Sequence, residues 1–230
     1  MIPEDKCFDA RIVSREEGIL AGIEIIKSLF REYGIEVISS MNDGDEIAEG
    51  DVILELSGNA RTILTLERTA LNLLMRMCGV ATATNRVAGK VREVNPKIRI
   101  AGTRKTMPAL KRFDKLAIAI GGGDTHRYSL DDMVMIKDNH IAVVGSVKEA
   151  LAIAKENISF SKKIEIEVET KEDAIIAAEG GADIVMFDNM GFEESQETLK
   201  LLEEKNLRDR VLIEFSGDVN EDNILNYAPL

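Results

Sequence analysis

The sequence predicts an α/β protein whose C-terminal part is built on a parallel sheet or barrel. From about residue 98, short apolar runs alternate with segments of helical period. A polar or charged group follows or closes each of those runs. The first hundred residues lack this alternation and instead hold β-rich pieces followed by one long helical stretch.

In chain order, "EVISSMNDGDEIAEGDVILELSG" (36–58) contains strand-like pieces broken by Asp-Gly and Glu-Gly turns. It resembles the small hammerhead sheet of lipoyl-type folds, although no lysine occupies the turn at Asp43-Gly44-Asp45. "TILTLERTALNLLMRMCGVATATNRVAGKVREV" (62–94) reads as a helix with Gly79 as a point of interruption, and Pro96 marks a boundary. The domains expected are therefore 1–97 and 98–230. In the second, strands are predicted at 97–102, 133–137, 163–169, 182–188 and 210–217, with helices at 146–157, 170–181 and 192–206. Ser146 with Glu149 fits a capping box, Thr170 with Asp173 is a weaker version, and Gly180-Gly181 suits a helix C-terminus.

Composition narrows the class. The chain has 230 residues, 45% of them hydrophobic, so a sizeable aliphatic core is available. The two cysteines, Cys7 and Cys78, form neither a disulfide framework nor a metal site. No apolar run approaches the roughly 18 residues of a membrane span and no signal-peptide pattern opens the chain, so a cytoplasmic protein is expected. The net charge is −12, and the segment from Ile141 onward carries 20 acids against 9 bases. Nucleic acid is an unsuitable partner for so acidic a chain, whereas a small basic pocket for a small polyanion is compatible with it.

Such a pocket is suggested between Gly102 and His140, where both histidines of the chain lie. In a barrel the functional groups stand at the C-terminal ends of strands. The predicted strand ends carry Thr103, Arg104 and Lys105, then Lys137 before Asp138-Asn139-His140, then Glu167, then Asp188-Asn189, then Ser216-Gly217. Arg104, Lys105, Arg127 and Lys137 suit carboxylates or phosphates, Arg by its planar fork and Lys as a point charge; surface ion pairs are the plainer reading. His126 beside Arg127 can donate to an anion, while His140 suits a loop-stabilising role. Gly121–Gly123 allow close approach of a ligand or simply a tight turn, and the turn is favoured. Glu167 and Asp188 offer oxygen ligands for Mg²⁺, can stabilise a developing cation, or pair with nearby lysines. By the two-residue strand period Glu165 and Glu169 share the face of Glu167, so spacing leaves open which of the three acts.

The runs "TRKT", "GGGDTHR", "MIKDNHI", "EIEVET" and "FDNM", with "ERTALNLL" and "GVATAT" upstream, resemble the quinolinate phosphoribosyltransferase family over nearly the whole chain. The resemblance implies an N-terminal α/β sandwich domain followed by an incomplete parallel α/β barrel, in a homodimer or higher homo-oligomer. It implies transfer of phosphoribosyl from 5-phosphoribosyl 1-pyrophosphate to quinolinate with decarboxylation, with Mg²⁺ required. Arg104, Lys105, His126 and Arg127 would surround quinolinate, with Thr103 beside them, and Arg68 of "LERTA" would reach in from a partner subunit. Lys137 would contact the phosphoribosyl donor or the acid, Glu167 and Asp188 would face ribose and Mg²⁺, and Ser216 and Gly217 would help hold the 5′-phosphate. Lys105, Lys137, Glu167 and Asp188 are thus the expected catalytic residues. Gly102 stands where the family has Asp before "TRKT", and Asp218 follows "SG" where it has Gly. Relative to the family, a shortened N-terminal arm and a missing final strand with its Gly-rich loop are expected. Two other readings are a related pyrophosphorylase-like protein of molybdenum transport, against which Lys137 and His140 of "IKDNH" argue, and a non-catalytic quinolinate-binding subunit.

Overall fold

The computed structural model describes residues 2–230. The chain divides into two compact units. The first comprises residues up to Glu93 together with Lys97–Tyr128, and the second comprises Val94–Pro96 and Ser129–Leu230.

In the first unit, β1 (Cys7–Val13), β2 (Gly18–Ile19), α1 (Ile23–Glu32), β3 (Glu36–Ser40), β4 (Glu46–Ile47) and β5 (Val52–Asn59) precede the long α2 (Ala60–Val94). β1 and β3 flank β5 in an antiparallel sheet, and β2 pairs with β4. The β-rich stretch is thus three strands joined by turns at Gly44 and Gly50, both at positive φ. The turn residue Asp43 has a second task. Its Oδ1 accepts the backbone N–H groups of Gly22 and Ile23 at 2.6 and 2.8 Å, so a distant loop caps the first turn of α1. Apolar residues of α1 (Ile23, Ile26, Phe30), of β5 (Ile53, Leu54, Leu56) and of α2 (Ile63, Leu66, Ala70, Leu74) close the core.

The buried positions of α2 recur every three or four residues from Ala60 to Ala81, and resume at Ala88 and Val91. Gly79 does not interrupt the helix, because the packed stripe on either side holds it. After α2 the expected strand at 97–102 does not form. Only an isolated parallel bridge joins Ala101 to Asp124, through Gly102 N–H to Asp124 O at 2.8 Å and Asp124 N–H to Ile100 O at 2.7 Å. α3 (Lys111–Ile120) follows, and its Ala117, Phe113 and Ile120 pack with Met77, Ala81 and Ile19. That packing is why residues 97–128 group with the first unit although the sequence assigns 98–128 to the second domain.

The second unit is the β-α repeat that the alternation predicts: β6 (Val134–Ile136), α4 (Asp138–Val144), α5 (Val147–Asn157), β7 (Ile164–Val168), α6 (Lys171–Glu179), β8 (Ile184–Asp188), α7 (Phe192–Glu204), β9 (Leu212–Ser216) and α8 (Ile224–Tyr227). The four strands are parallel and lie in chain order. Ser146 and Thr170 cap α5 and α6 as expected, each hydroxyl accepting the backbone N–H three residues on, and Gly181 follows α6 at positive φ. One face of the sheet, with Ile164, Ile166, Val168, Val185 and Phe187, joins Leu151, Ala177, Leu199 and Leu202 in a single hydrophobic cluster. Alternation sends Glu165, Glu167, Met186, Asp188, Glu214 and Ser216 to the opposite face. No helix of the described residues is long and apolar enough to cross a membrane.

Replacing Asp43 by Ala removes the acceptor of two orphan N–H groups. We expect it to lower the stability of the first unit by about 0.5–2 kcal/mol, read by urea denaturation, with Asp43→Asn, which keeps the Oδ1 acceptor, losing much less.

Candidate active site

Each unit carries one group of the sequence-predicted site residues. In the first, the two cationic segments emerge side by side from the Ala101–Asp124 bridge. Thr103, Arg104 and Lys105 begin two residues past Ala101, and His126-Arg127 begin two past Asp124. The structure thus brings these five residues together without the strand that the sequence predicts. Thr103 Oγ1 accepts the N–H of Lys105 at 3.1 Å and the N–H of Thr106 bonds Arg104 O at 2.9 Å, so the loop is tightly turned. The side chains of Thr103, Arg104 and Lys105 are exposed, whereas Arg127 is 7% exposed.

His126 adopts φ 55°, a left-handed backbone uncommon for a residue with a Cβ. Asp124 compensates, because its Oδ1 accepts the His126 N–H at 2.8 Å. That hydrogen bond, with Arg99 alongside, holds the Asp124 carboxyl below its ordinary value despite partial burial. Packing and the turn both call for the triple glycine. A Cβ on Gly121 would lie 2.4 Å from Ala81 O, and one on Gly123 would lie 2.7 Å from Thr84 Cγ2, while Gly122 turns at φ 86°.

Two residues that sequence reasoning passed over support this loop. Asp114 receives both Arg76 Nε and Nη2 at 2.7 Å, and also the Met107 N–H at 3.1 Å. Burial acts to raise the Asp114 carboxyl, but the Arg76 and Met107 hydrogen bonds hold it below the ordinary range. Lys115, next in the chain, is fully buried, and its Nζ donates to Gly102 O at 2.6 Å and to Thr125 O. Burial pushes the Lys115 ammonium down; the Asp124 charge opposes this, and Arg104, Arg127 and Lys111 reinforce it. Both residues sit in "KRFDKLAIAI", the sequence of α3.

In the second unit, Lys137 closes β6 and pairs with Glu167 near the end of β7. The pairing anticipated for the carboxylates is therefore realised at Glu167. Lys137 N–H donates to His140 Nδ1 at 2.9 Å, so His140 stabilises the start of α4. At the ends of β8 and β9, Asp188 Oδ1 accepts the Ser216 hydroxyl at 2.7 Å and Asn189 N–H bonds Ser216 O at 3.0 Å. Gly217, at φ 99°, has no room for a Cβ, which would fall 2.2 Å from Asn189 Oδ1. The structure also separates the three glutamates. Glu165 is wholly buried in mid-strand with a carboxylate oxygen within 4.8 Å of one on Glu214, Glu167 lies beside Lys137, and Glu169 is exposed beyond the strand. Arg68 stands on an exposed face of α2.

The family model described as "Quinolinate phosphoribosyl transferase, C-terminal domain" matches residues 80–230, and the corresponding N-terminal domain matches residues 1–78. The chain belongs to the quinolinate phosphoribosyltransferase family. The probable nicotinate-nucleotide pyrophosphorylase (carboxylating) of Methanothermobacter thermautotrophicus is 52% identical over 95% of this chain and 78% of its own. The Homo sapiens nicotinate-nucleotide pyrophosphorylase (carboxylating) is 33% identical over 95% of this chain and 73% of its own. Among solved structures, NadC from Streptococcus pyogenes superposes with a TM-score of 0.91 at 35% identity, covering 100% of this chain and 79% of that one. The nicotinate-nucleotide pyrophosphorylase of Francisella tularensis superposes at 0.89 with 33% identity, covering 98% and 79%. Both structural relatives support the α/β fold described above.

The Asp114 network makes the first unit sensitive to acid. Because the folded carboxyl titrates lower than the unfolded one, its stabilisation is complete above the ordinary value of 3.8 and is lost as pH falls below it. Asp114→Asn is expected to cost about 1–3 kcal/mol at pH 7, with the gap to the parent closing in melts run at successively lower pH below 4.

Proposed function

We propose that this chain transfers phosphoribosyl from 5-phosphoribosyl 1-pyrophosphate to the ring nitrogen of quinolinate and releases CO₂, forming nicotinate mononucleotide and pyrophosphate for NAD synthesis. The observation that carries the reading is the junction of Arg104-Lys105 with His126-Arg127 across the Ala101–Asp124 bridge, in a chain whose relatives bear the name nicotinate-nucleotide pyrophosphorylase (carboxylating). Quinolinate is a dianion, and two carboxylates require charge-assisted donors of this number and geometry. Thr103 adds a hydroxyl to the same turn.

The bond from the ribose anomeric carbon to the pyrophosphate oxygen breaks as the ring nitrogen bonds to that carbon. Positive charge builds on the sugar during this exchange, as in glycoside cleavage. Glu167 and Asp188, acidic groups late in adjacent parallel strands, stabilise that charge. Lys137 compensates Glu167 and is the cation of this unit assigned to the departing phosphates. Once formed, the positive pyridinium nitrogen stabilises the electron pair that the breaking ring–carboxylate bond leaves on the adjacent ring carbon; CO₂ departs, and a proton is taken up by that carbon. No electron-sink cofactor is required. Ser216 and Gly217 form a polar turn fixed by Asp188 and Asn189, which suits backbone donation to the 5′-phosphate.

The carboxylates of Glu167 and Asp188 are hard oxygen donors of the type Mg²⁺ prefers when substrate oxygens and water complete its shell. We assign them to hold it. Bound there, the ion would supply charge to the leaving pyrophosphate. The same proposal includes a cytoplasmic homodimer or higher assembly in which Arg68 of one copy serves the acid-binding site of another; its exposure on α2 is compatible with this.

The deciding assay is formation of nicotinate mononucleotide from quinolinate, the phosphoribosyl donor and Mg²⁺, with nicotinate as control acceptor. Product from quinolinate alone is expected. Lys105→Ala is expected to abolish turnover while leaving the melting temperature unchanged, and unchanged turnover would refute the anion-site assignment. Quinolinate binding without product would identify a binding subunit instead of an enzyme.

Arg68→Ala and Lys105→Ala proteins, each inactive alone, should regain measurable activity when mixed and refolded together, because mixed dimers contain one intact site. No recovery would remove Arg68 from the shared site.

A further inference from the structure

We infer that Lys115 is a positioning residue that sets the spacing between the two acid-binding segments, a conclusion that rests on the reading of those segments as the quinolinate site. The parallel pairing of the segments stops after one bridge. Gly102 N–H bonds Asp124 O and Asp124 N–H bonds Ile100 O. In a continuing parallel ladder the His126 N–H would next bond Gly102 O. It does not, because His126 turns into left-handed backbone and gives its N–H to Asp124 Oδ1.

The carbonyl of Gly102 therefore needs another donor, and so does that of Thr125 beside it. The buried ammonium of Lys115 serves both. Two acceptors cannot bond each other, and an ammonium with three donors satisfies the pair from one point. The Tyr128 ring stands with its centroid 5.9 Å from Nζ, offering a π-face to the same charge. Gly102 is the residue before Thr103-Arg104-Lys105, and Thr125 is the residue before His126-Arg127. A single cation thus replaces the missing ladder rung at the point where both cationic segments begin. Its neighbour Asp114 anchors the far end of the first segment at the Met107 N–H. Consecutive residues of α3 grip the loop at both ends.

Lys115→Met keeps the apolar stem and removes the donors. Its expected effect is a rise of about tenfold or more in the quinolinate KM, against a change of less than about threefold in the KM for the phosphoribosyl donor. Amide hydrogen exchange is read on the same protein. The amides of Gly102, Asp124 and His126 should exchange about tenfold faster or more, while those of β5 and α1 keep parental rates. Equal rises in both KM values, or an unchanged quinolinate KM in a folded variant, overturn the positioning role. If the parent neither turns over nor binds quinolinate, the functional reading has failed, and exchange alone decides whether Lys115 ties the segments: local acceleration supports the tie, and parental rates refute it. Should Lys115→Met fail to fold, the same measurements are made on Lys115→Gln, which keeps the donors of an uncharged amide NH₂ and is expected to give smaller changes of the same pattern.

Discussion

The arrangement of the cationic segments depends on a ladder that ends after two backbone hydrogen bonds. Had the pairing of Ile100–Gly102 with Asp124 continued, His126 and Arg127 would have alternated across a regular strand and their side chains would have pointed to opposite faces. The left-handed turn at His126 breaks that alternation and consumes an N–H on Asp124. Its cost appears at once as carbonyls that no strand can satisfy, and a buried lysine is a chemically economical answer. The ammonium supplies several donors from one atom and adds positive potential behind the loop, which favours an anion in front of it.

A different solution governs the second unit. Parallel strands are commonly apolar on both faces, because helices cover one face and a packed interior fills the other. Here the helix-facing side follows that rule with Ile164, Ile166, Val185 and Phe187. The opposite side carries Glu165, Glu167, Asp188 and Glu214 instead. Concentrating carboxylates on one sheet face destabilises the unit unless they find partners or ligands, and Lys137 and Ser216 answer for two of them. Such an expense at strand ends is typical of a functional surface, since packing alone would have selected aliphatic residues there.

The parts of the fold that were legible in the sequence are those where local signals and tertiary packing agree. β7, β8, α5, α6 and α7 were readable because apolar period and caps at Ser146 and Thr170 point the same way. "KIRIAG" has the composition of a strand but lacks a partner of matching length, and pairing is a non-local property. Gly79 carries a breaking tendency of about 1 kcal/mol, which the packed stripe of α2 overrides. For the candidate site, the exposed cations were visible by type and position. Lys115 and Asp114 were not, because a buried and a solvated charge are written with the same letter; burial is decided by what α3 packs against. The period-2 rule put Glu165, Glu167 and Glu169 on one face but could not rank them, since only the strand's end, at Val168, and the reach of Lys137 distinguish the three.

The charge balance of the chain also makes sense at the scale of these contacts. A net charge of −12 would oppose polyanionic substrates if it acted as a distant sum. At physiological ionic strength exposed charges are screened beyond about 8 Å, so the summed charge of the chain matters little to a ligand held at Arg104 or Arg127. What such a ligand experiences is the local set, and in the first unit that set is cationic at Arg104, Lys105, Lys115 and Arg127. Overall acidity and anion binding are compatible because screening makes recognition local, and the loop gripped by α3 is where the local sign is reversed.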